Sequence, residues 1–191
     1  MLAAEELSLG ILAGGRASRL GGRDKAWIER DGVPQVLRIA HRFSDECGAV
    51  LVSANRDLPR HARHGLQALM DRRPDLGPLG GLDALAAACT TPWLFTLPVD
   101  IIDADITLPR MLAQAGGQGA VARDDDGLQP LVALYRLDAL RAALASALAD
   151  GEYSVRAMQA VLALPVVAFA GLRFGNINTP DDLAAAGCAP E

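Results

Sequence analysis

Residues 12–25 read Leu-Ala-Gly-Gly-Arg-Ala-Ser-Arg-Leu-Gly-Gly-Arg-Asp-Lys and follow the apolar positions Leu9 and Ile11. Gly14, Gly15, Gly21 and Gly22 carry no Cβ, so backbone N–H groups there can close on an anion. Arg16, Arg19, Arg23 and Lys25 bring four cations to the same stretch. This is chemistry for phosphate, and a nucleoside triphosphate is the guest such a loop suits. Two isolated aspartates add to it. Asp100 closes the apolar segment Trp93-Leu94-Phe95-Thr96-Leu97-Pro98-Val99, where a carboxylate either meets a cation or caps a helix. Mg²⁺ fits the first role, because it takes one or two carboxylates and completes its shell with phosphate oxygens and water. Asp103 and Asp105 follow closely and compete for it, although Asp105 is better placed to cap a helix starting near Ile106. Asp71 precedes Gly77-Pro78-Leu79-Gly80-Gly81, which reads as a turn. It is either a turn residue or an acceptor for a base edge. Guanine offers N1–H and N2–H₂ as adjacent donors, whereas cytosine offers only its amino group.

Two familiar phosphate loops also follow a strand, and neither is present. No glycine is followed by Lys and a hydroxyl residue, as a P-loop requires, and there is no Gly-x-Gly-x-x-Gly. The opening loop, Asp71 ahead of the 77–81 segment, Leu97-Pro98-Val99-Asp100 and Asn176-Ile177-Asn178-Thr179-Pro180 occur in this order along nearly the whole chain. Together they resemble the molybdenum cofactor guanylyltransferases. The resemblance implies a single-domain α/β fold over residues 1–191, a Rossmann-like nucleotidyltransferase with a mostly parallel mixed sheet flanked by helices. It implies transfer of GMP from GTP to the terminal phosphate of molybdenum-molybdopterin, with release of pyrophosphate. The residues matching Leu12, Ala13, Gly14, Lys25, Ser53, Asp71 and Asp100 are then nucleotide contacts, and Asp100 is the ligand of GTP-bound Mg²⁺. Asn176 and Asn178 border the pterin region, although Thr179 and Pro180 also suit the start of a helix. Other molybdenum cofactor biosynthesis proteins or molybdoenzyme chaperones are the implied protein partners.

From the residues themselves, amides of Ala13, Gly14 and Gly15 could hold phosphates while Lys25 and Arg19 offset charge on the leaving pyrophosphate. Ser53 departs from the family's usual asparagine, so either Ser53 makes a reduced nucleotide contact or Asn55 compensates. Ile102 stands where the family usually has proline. Arg156 and Arg173 are further candidates for the acceptor phosphate. Rival readings are a molybdopterin cytidylyltransferase or sugar-phosphate nucleotidyltransferase, whose loops usually read Leu-Ala-Ala-Gly, and a non-catalytic GTP-binding module.

These side chains need strand ends to position them. Apolar runs at 8–12, 49–53, 67–70, 93–97, 119–122, 131–135 and 166–168 are strand candidates, and helical stripes separate them. The stripes are Val36, Leu37, Ile39, Ala40 and Phe43; Leu79, Leu82, Leu85 and Ala86; and Leu137, Leu140, Leu144 and Leu148. The alternation predicts βαβ units, with Gly14, Asp71 and Asp100 on the carboxyl rim where open α/β sheets bind ligands. Arg123-Asp124-Asp125-Asp126-Gly127 reads as a solvated hairpin turn, with metal binding as the alternative. His41, His61 and His64 read as solvent-facing, since arginines flank the last two and no third metal ligand is apparent.

Composition narrows the partners. The chain has 191 residues, is 51% apolar and carries a net charge of −5. That length and apolar content suit one domain with a continuous core. The acidic balance argues against a nucleic-acid or anionic-membrane partner. No apolar stretch reaches the roughly 18 residues of a bilayer span, and residues 1–6 lack a basic start, so a cytoplasmic location is expected. Cys47, Cys89 and Cys188 have no paired spacing and read as reduced structural thiols.

Overall fold

The computed structural model describes residues 2–14, 24–177 and 182. In chain order the elements are β1 (Leu7–Leu12), a 3₁₀ turn (Lys25–Trp27), β2 (Glu29–Arg30), β3 (Val33–Pro34), α1 (Gln35–Arg42), β4 (Ala49–Ser53), α2 (Leu58–Arg63) and β5 (Gln67–Leu69). They continue with α3 (Pro78–Ala88), β6 (Trp93–Pro98), α4 (Leu108–Gln114), β7 (Gly119–Asp124), β8 (Gly127–Arg136), α5 (Leu137–Asp150), α6 (Val155–Val161) and β9 (Val166–Ala168).

Seven strands form one sheet in the order β5-β4-β1-β6-β8-β7-β9, and β8 alone runs against the others. This is the mostly parallel mixed sheet expected. Its central strands β1 and β6 are buried almost throughout because both faces are covered. Leu9, Ile11, Phe95 and Leu97 pack with Val36, Phe43, Leu108 and Leu112 on the face of α1 and α4. Leu12, Leu51 and Leu94 pack with Leu79, Leu82, Leu85, Leu140 and Leu144 on the face of α3 and α5. Gly10 permits the second layer's close approach, since a Cβ there would lie 3.0 Å from a Leu85 methyl and 3.1 Å from a Leu94 methyl.

Several boundaries differ from expectation. β8 begins at Gly127, four residues earlier than the apolar run, because a bulge between Val121 and Ala122 accommodates the stretch around Pro130. The β2–β3 hairpin lies outside the expected strands. It turns on Asp31 and Gly32, both at positive φ (53° and 73°), the residue pair a two-residue hairpin favours. The segment 77–81 is no turn: Pro78 opens α3, and Gly80 and Gly81 lie in its first turns.

The 124–127 segment does turn between β7 and β8, but Asp124 is not solvated. It is 5% exposed. Its Oδ1 accepts from Gln129 Nε2 (2.9 Å) and Asp126 N (3.1 Å), and its Oδ2 accepts from Phe174 N (2.9 Å). Burial alone would raise its pKa, but these donors and the Gly127 amide outweigh it and leave the carboxyl below its ordinary value. The aspartate is a clasp between the hairpin and residues near 174. Cys47 and Cys89 are buried free thiols, and burial, with Glu46 nearby, pushes Cys47 up to about 12. Cys188 lies outside the described residues. No described helix is long and apolar enough to cross a membrane.

Candidate active site

β1 and β6 are neighbours in the sheet, yet the chain runs from β1 to β4 on one side and from β6 through α4 to β7 on the other, so their carboxyl ends flank a topological switch point. Two groups of polar side chains gather there. The first pairs Lys25 with Asp100. Val99 N donates to Leu12 O at 3.0 Å, extending the β1–β6 register one residue past Pro98 and setting Asp100 just beyond the strands. Lys25 arrives on a 3₁₀ turn capped by Asp24, whose Oδ1 accepts Ala26 N at 3.0 Å. Its Nζ lies 2.8 Å from Asp100 Oδ2, with the two side chains 20% and 22% exposed.

The backbone around Asp100 is held from both sides. Ile177 N donates to Asp100 O (2.9 Å), and Ile102 N and Asp103 N donate to Phe174 O (3.1 and 2.9 Å). Ile101 and Asn176 form an antiparallel bridge, which brings half-buried Asn176 beside Asp100 along the main chain. Buried Gln35 donates its side-chain amide to Ile101 O. Asp105 does not share in this: its Oδ1 accepts Thr107 N (2.7 Å) and Thr107 Oγ1 (2.6 Å) ahead of α4. Those Thr107 hydrogen bonds lower its pKa.

The second group lies at the ends of β4 and β5. Asn55 Nδ2 donates to Asp71 Oδ2 (2.9 Å), Asp71 N donates to Asn55 Oδ1 (2.9 Å), and Ser53 Oγ stands 3.5 Å from Asp71 Oδ1. α3 closes on them through its glycines. A Cβ on Gly81 would lie 2.7 Å from Ser53 Oγ and 2.8 Å from a Leu12 methyl, and one on Gly80 would lie 3.2 Å from Asp71 Oδ2. A Cβ on Gly14 would lie 3.6 Å from Asn55 Nδ2 and 3.8 Å from Ser53 Oγ. Gly14, Ser53, Asn55, Asp71 and the start of α3 therefore share one corner.

Leu12 contributes an apolar wall there, 7% exposed, with its carbonyl engaged by Val99. Ala13 departs from expectation: its N–H donates to Ser53 O at 2.9 Å, extending the β1–β4 ladder, so that amide does not face a phosphate. Gly15, Arg19 and Asn178 lie outside the described residues. Arg173 pairs with Asp126 at 3.3 Å, with side chains 71% and 49% exposed, and Arg156 is exposed on α6, which packs on α5 and β8.

His61 corrects its expected solvent position. It is fully buried, its Nδ1 lies 3.2 Å from Asp57 O, and its ring meets Trp27 edge-on with centroids 4.8 Å apart. Arg60 lies 4.2 Å over the same indole, and His64, which is exposed, lies 5.3 Å from it. α2 and the residue after it thus grip the turn that carries Lys25, two residues before Trp27. Nothing local in the sequence joins positions 27 and 61. A separate groove of about 360 Å³ between α3 and α5 includes none of the candidate residues in its lining. Its Arg72 pairs with Asp83 (3.4 Å), and its Arg141 donates to Ala86 O and Cys89 O (2.9 Å each).

A parallel-sheet rim with a glycine just past one strand, a carboxylate just past the next and a Lys paired with that carboxylate is a layout suited to an α/β nucleotide-handling enzyme. Residues 9–164 match the family model described as "MobA-like NTP transferase domain", and the chain belongs to that family. A molybdenum cofactor guanylyltransferase of Cupriavidus necator is 35% identical over 194 residues, covering 96% of this chain and 97% of the relative. Among solved structures, molybdopterin-guanine dinucleotide biosynthesis protein A from Archaeoglobus fulgidus superposes with a TM-score of 0.70 at 22% identity, covering 94% of this chain and 96% of that one. The 2-C-methyl-D-erythritol 4-phosphate cytidylyltransferase of Thermus thermophilus gives 0.71 at 21% identity, covering 95% and 97%. At such identities the structural likeness is one of fold.

Proposed function

We propose that this chain is a molybdenum cofactor guanylyltransferase, which transfers GMP from GTP to the terminal phosphate of molybdenum-molybdopterin and releases pyrophosphate. The observation that carries the reading is the full-length 35% identity to a relative of that name, joined to the Lys25–Asp100 pair at the switch point. We read the chain as one nucleotidyltransferase domain acting in the cytoplasm, with GTP and molybdenum-molybdopterin as substrates.

The roles follow from chemistry. The attacking phosphate oxygen is already ionised near neutral pH, so the protein supplies position and charge neutralisation rather than a general base. Gly14, at the start of the glycine-rich loop, meets the triphosphate, and Lys25 balances charge as pyrophosphate departs. Asp71 accepts hydrogen bonds from the guanine edge, with Ser53 and Leu12 lining that corner. The Asn176 segment, beside Asp100, faces the acceptor.

Asp100 suits Mg²⁺. It is a partly solvated carboxylate at the sheet rim, and among the described residues no group of three His, Cys, Asp or Glu could hold a metal. A cation held there would rest mainly on substrate phosphates, which is how Mg²⁺ binds. Bound with GTP, Mg²⁺ would draw charge from the α-phosphate and the leaving group.

Thermal shift with each of the four nucleoside triphosphates, with and without Mg²⁺, tests the assignment. GTP at about 100 times its dissociation constant is expected to stabilise by about 2.7 kcal/mol. Preference for CTP, or no shift with any nucleotide, overturns it. Pyrophosphate release only on addition of molybdenum-molybdopterin completes the test.

A further inference from the structure

Asn55 engages Asp71 with both ends of its amide: Oδ1 accepts the Asp71 N–H and Nδ2 donates to Asp71 Oδ2, each at 2.9 Å. The partners fix which way the amide faces. Turned over, it would set NH₂ against an N–H and oxygen against a carboxylate, exchanging two attractions for two repulsions. Ser53 Oγ, at 3.5 Å from Asp71 Oδ1, is at the limit of hydrogen-bond reach, so Oδ2 is held firmly and Oδ1 much less so. Gly80 comes close on the Oδ2 side, where an added Cβ would lie 3.2 Å away. The carboxylate is therefore pinned at one oxygen and lightly held at the other.

We propose that Asn55 is the positioning residue for base selection: it fixes the plane of the Asp71 carboxylate so that the carboxylate reads guanine N1–H and N2–H₂ together. The proposal rests on the reading of Asp71 as the base contact. Asn55 thus acts through Asp71, in place of a direct bond to the nucleotide. A carboxylate without this anchor turns about its broad terminal torsion, and a two-point match to the base is lost before one-point contact is.

Inosine triphosphate, which lacks the N2 amino group, separates the possibilities. Affinities for GTP, inosine triphosphate and inorganic tripolyphosphate are measured by calorimetry at fixed Mg²⁺ for the wild type, Asn55→Ala and Asn55→Asp. The wild type is expected to favour GTP over inosine triphosphate by about 10-fold or more, the worth of one hydrogen bond to a charged group. Asn55→Ala is expected to reduce that ratio below about threefold while leaving tripolyphosphate affinity within about twofold. Asn55→Asp, which faces Asp71 with a like charge, is expected to lose the ratio as well. If the wild type discriminates and either folded variant keeps the full ratio, Asn55 does not position Asp71 and the proposal fails. Equal loss of all three ligands in Asn55→Ala also defeats it. If the wild type itself does not distinguish the two purine nucleotides, the reading of Asp71 as the guanine contact is the part that is wrong, and the proposal falls with it.

Discussion

Lys25→Ala sets folding energy against catalytic energy at a single ion pair. The Lys25 and Asp100 side chains are 2.8 Å apart and 20% and 22% exposed. A pair this open to solvent contributes at most about 1 kcal/mol to stability. For a chain of this length that corresponds to a Tm loss of about 2–4 °C. Turnover depends on a different quantity. Removing one preorganised donor from the place where charge develops raises the barrier by about 2.7–4 kcal/mol, or roughly 10²–10³-fold in rate. Lys25→Ala is therefore expected to melt within a few degrees of wild type and to release pyrophosphate from GTP and molybdenum-molybdopterin at least about 100-fold more slowly. Asp100→Ala is expected to match it, and the double variant to lose little beyond either single one, because the two act as a unit. A near-normal rate refutes the argument. So does a Tm loss above about 10 °C, which would make the pair a fold element whose removal slows turnover indirectly.

Gly81→Ala gains about 1 kcal/mol of helix propensity but drives a Cβ to 2.7 Å from Ser53 Oγ and 2.8 Å from Leu12, overpacking worth about 1–3 kcal/mol. Melting should show a neutral to destabilised protein with weakened GTP binding, and a stabilised variant with normal GTP affinity would contradict the packing argument. The Asp124 carboxyl is lowered from its ordinary value in the folded protein, so its contribution is fully present above about pH 3.9 and is lost as pH falls through the lower folded value. Asp124→Asn is expected to lose about 1–3 kcal/mol at pH 7 and to flatten the acid limb of stability in urea titrations below about pH 4. An unchanged acid limb would show that the clasp does not depend on charge.

The strands at 49–53 and 166–168 are legible to the residue, because short apolar runs bounded by turn residues have few other uses. So are the helical stripes, whose leucines reach the core except for half-buried Leu148. What escaped depends on pairing across distance. Glycine composition marks 77–81 as a turn, and only the approach of α3 to Leu12 and Ser53 explains glycines inside a helix. Three consecutive aspartates suggest solvent, and Asp124 is buried only because the Phe174 amide comes to meet it. Flanking arginines suggest an exposed His61, yet Arg60 lies on Trp27 and the histidine goes beneath it. In the site, the Asp71 and Asp100 positions are readable as strand ends, whereas the engagement of the Ala13 amide by Ser53 and the hold of Asn55 on Asp71 require the β1–β4–β5 register.

The ties from Phe174 and Ile177 to the backbone around Asp100 also bear on how the protein is made. A ribosome releases the chain from its N-terminus, and β1, β4, β5 and β6 can pair while the rest is still being synthesised. The amides of Ile102 and Asp103 meet Phe174 O only after residue 174 has emerged, and the carbonyl of Asp100 meets the Ile177 amide only after residue 177, 77 positions later than Asp100 itself. A nascent chain can thus hold its sheet before it holds its finished switch point. The molecule would then form its sheet early and fix the surroundings of Asp100 last.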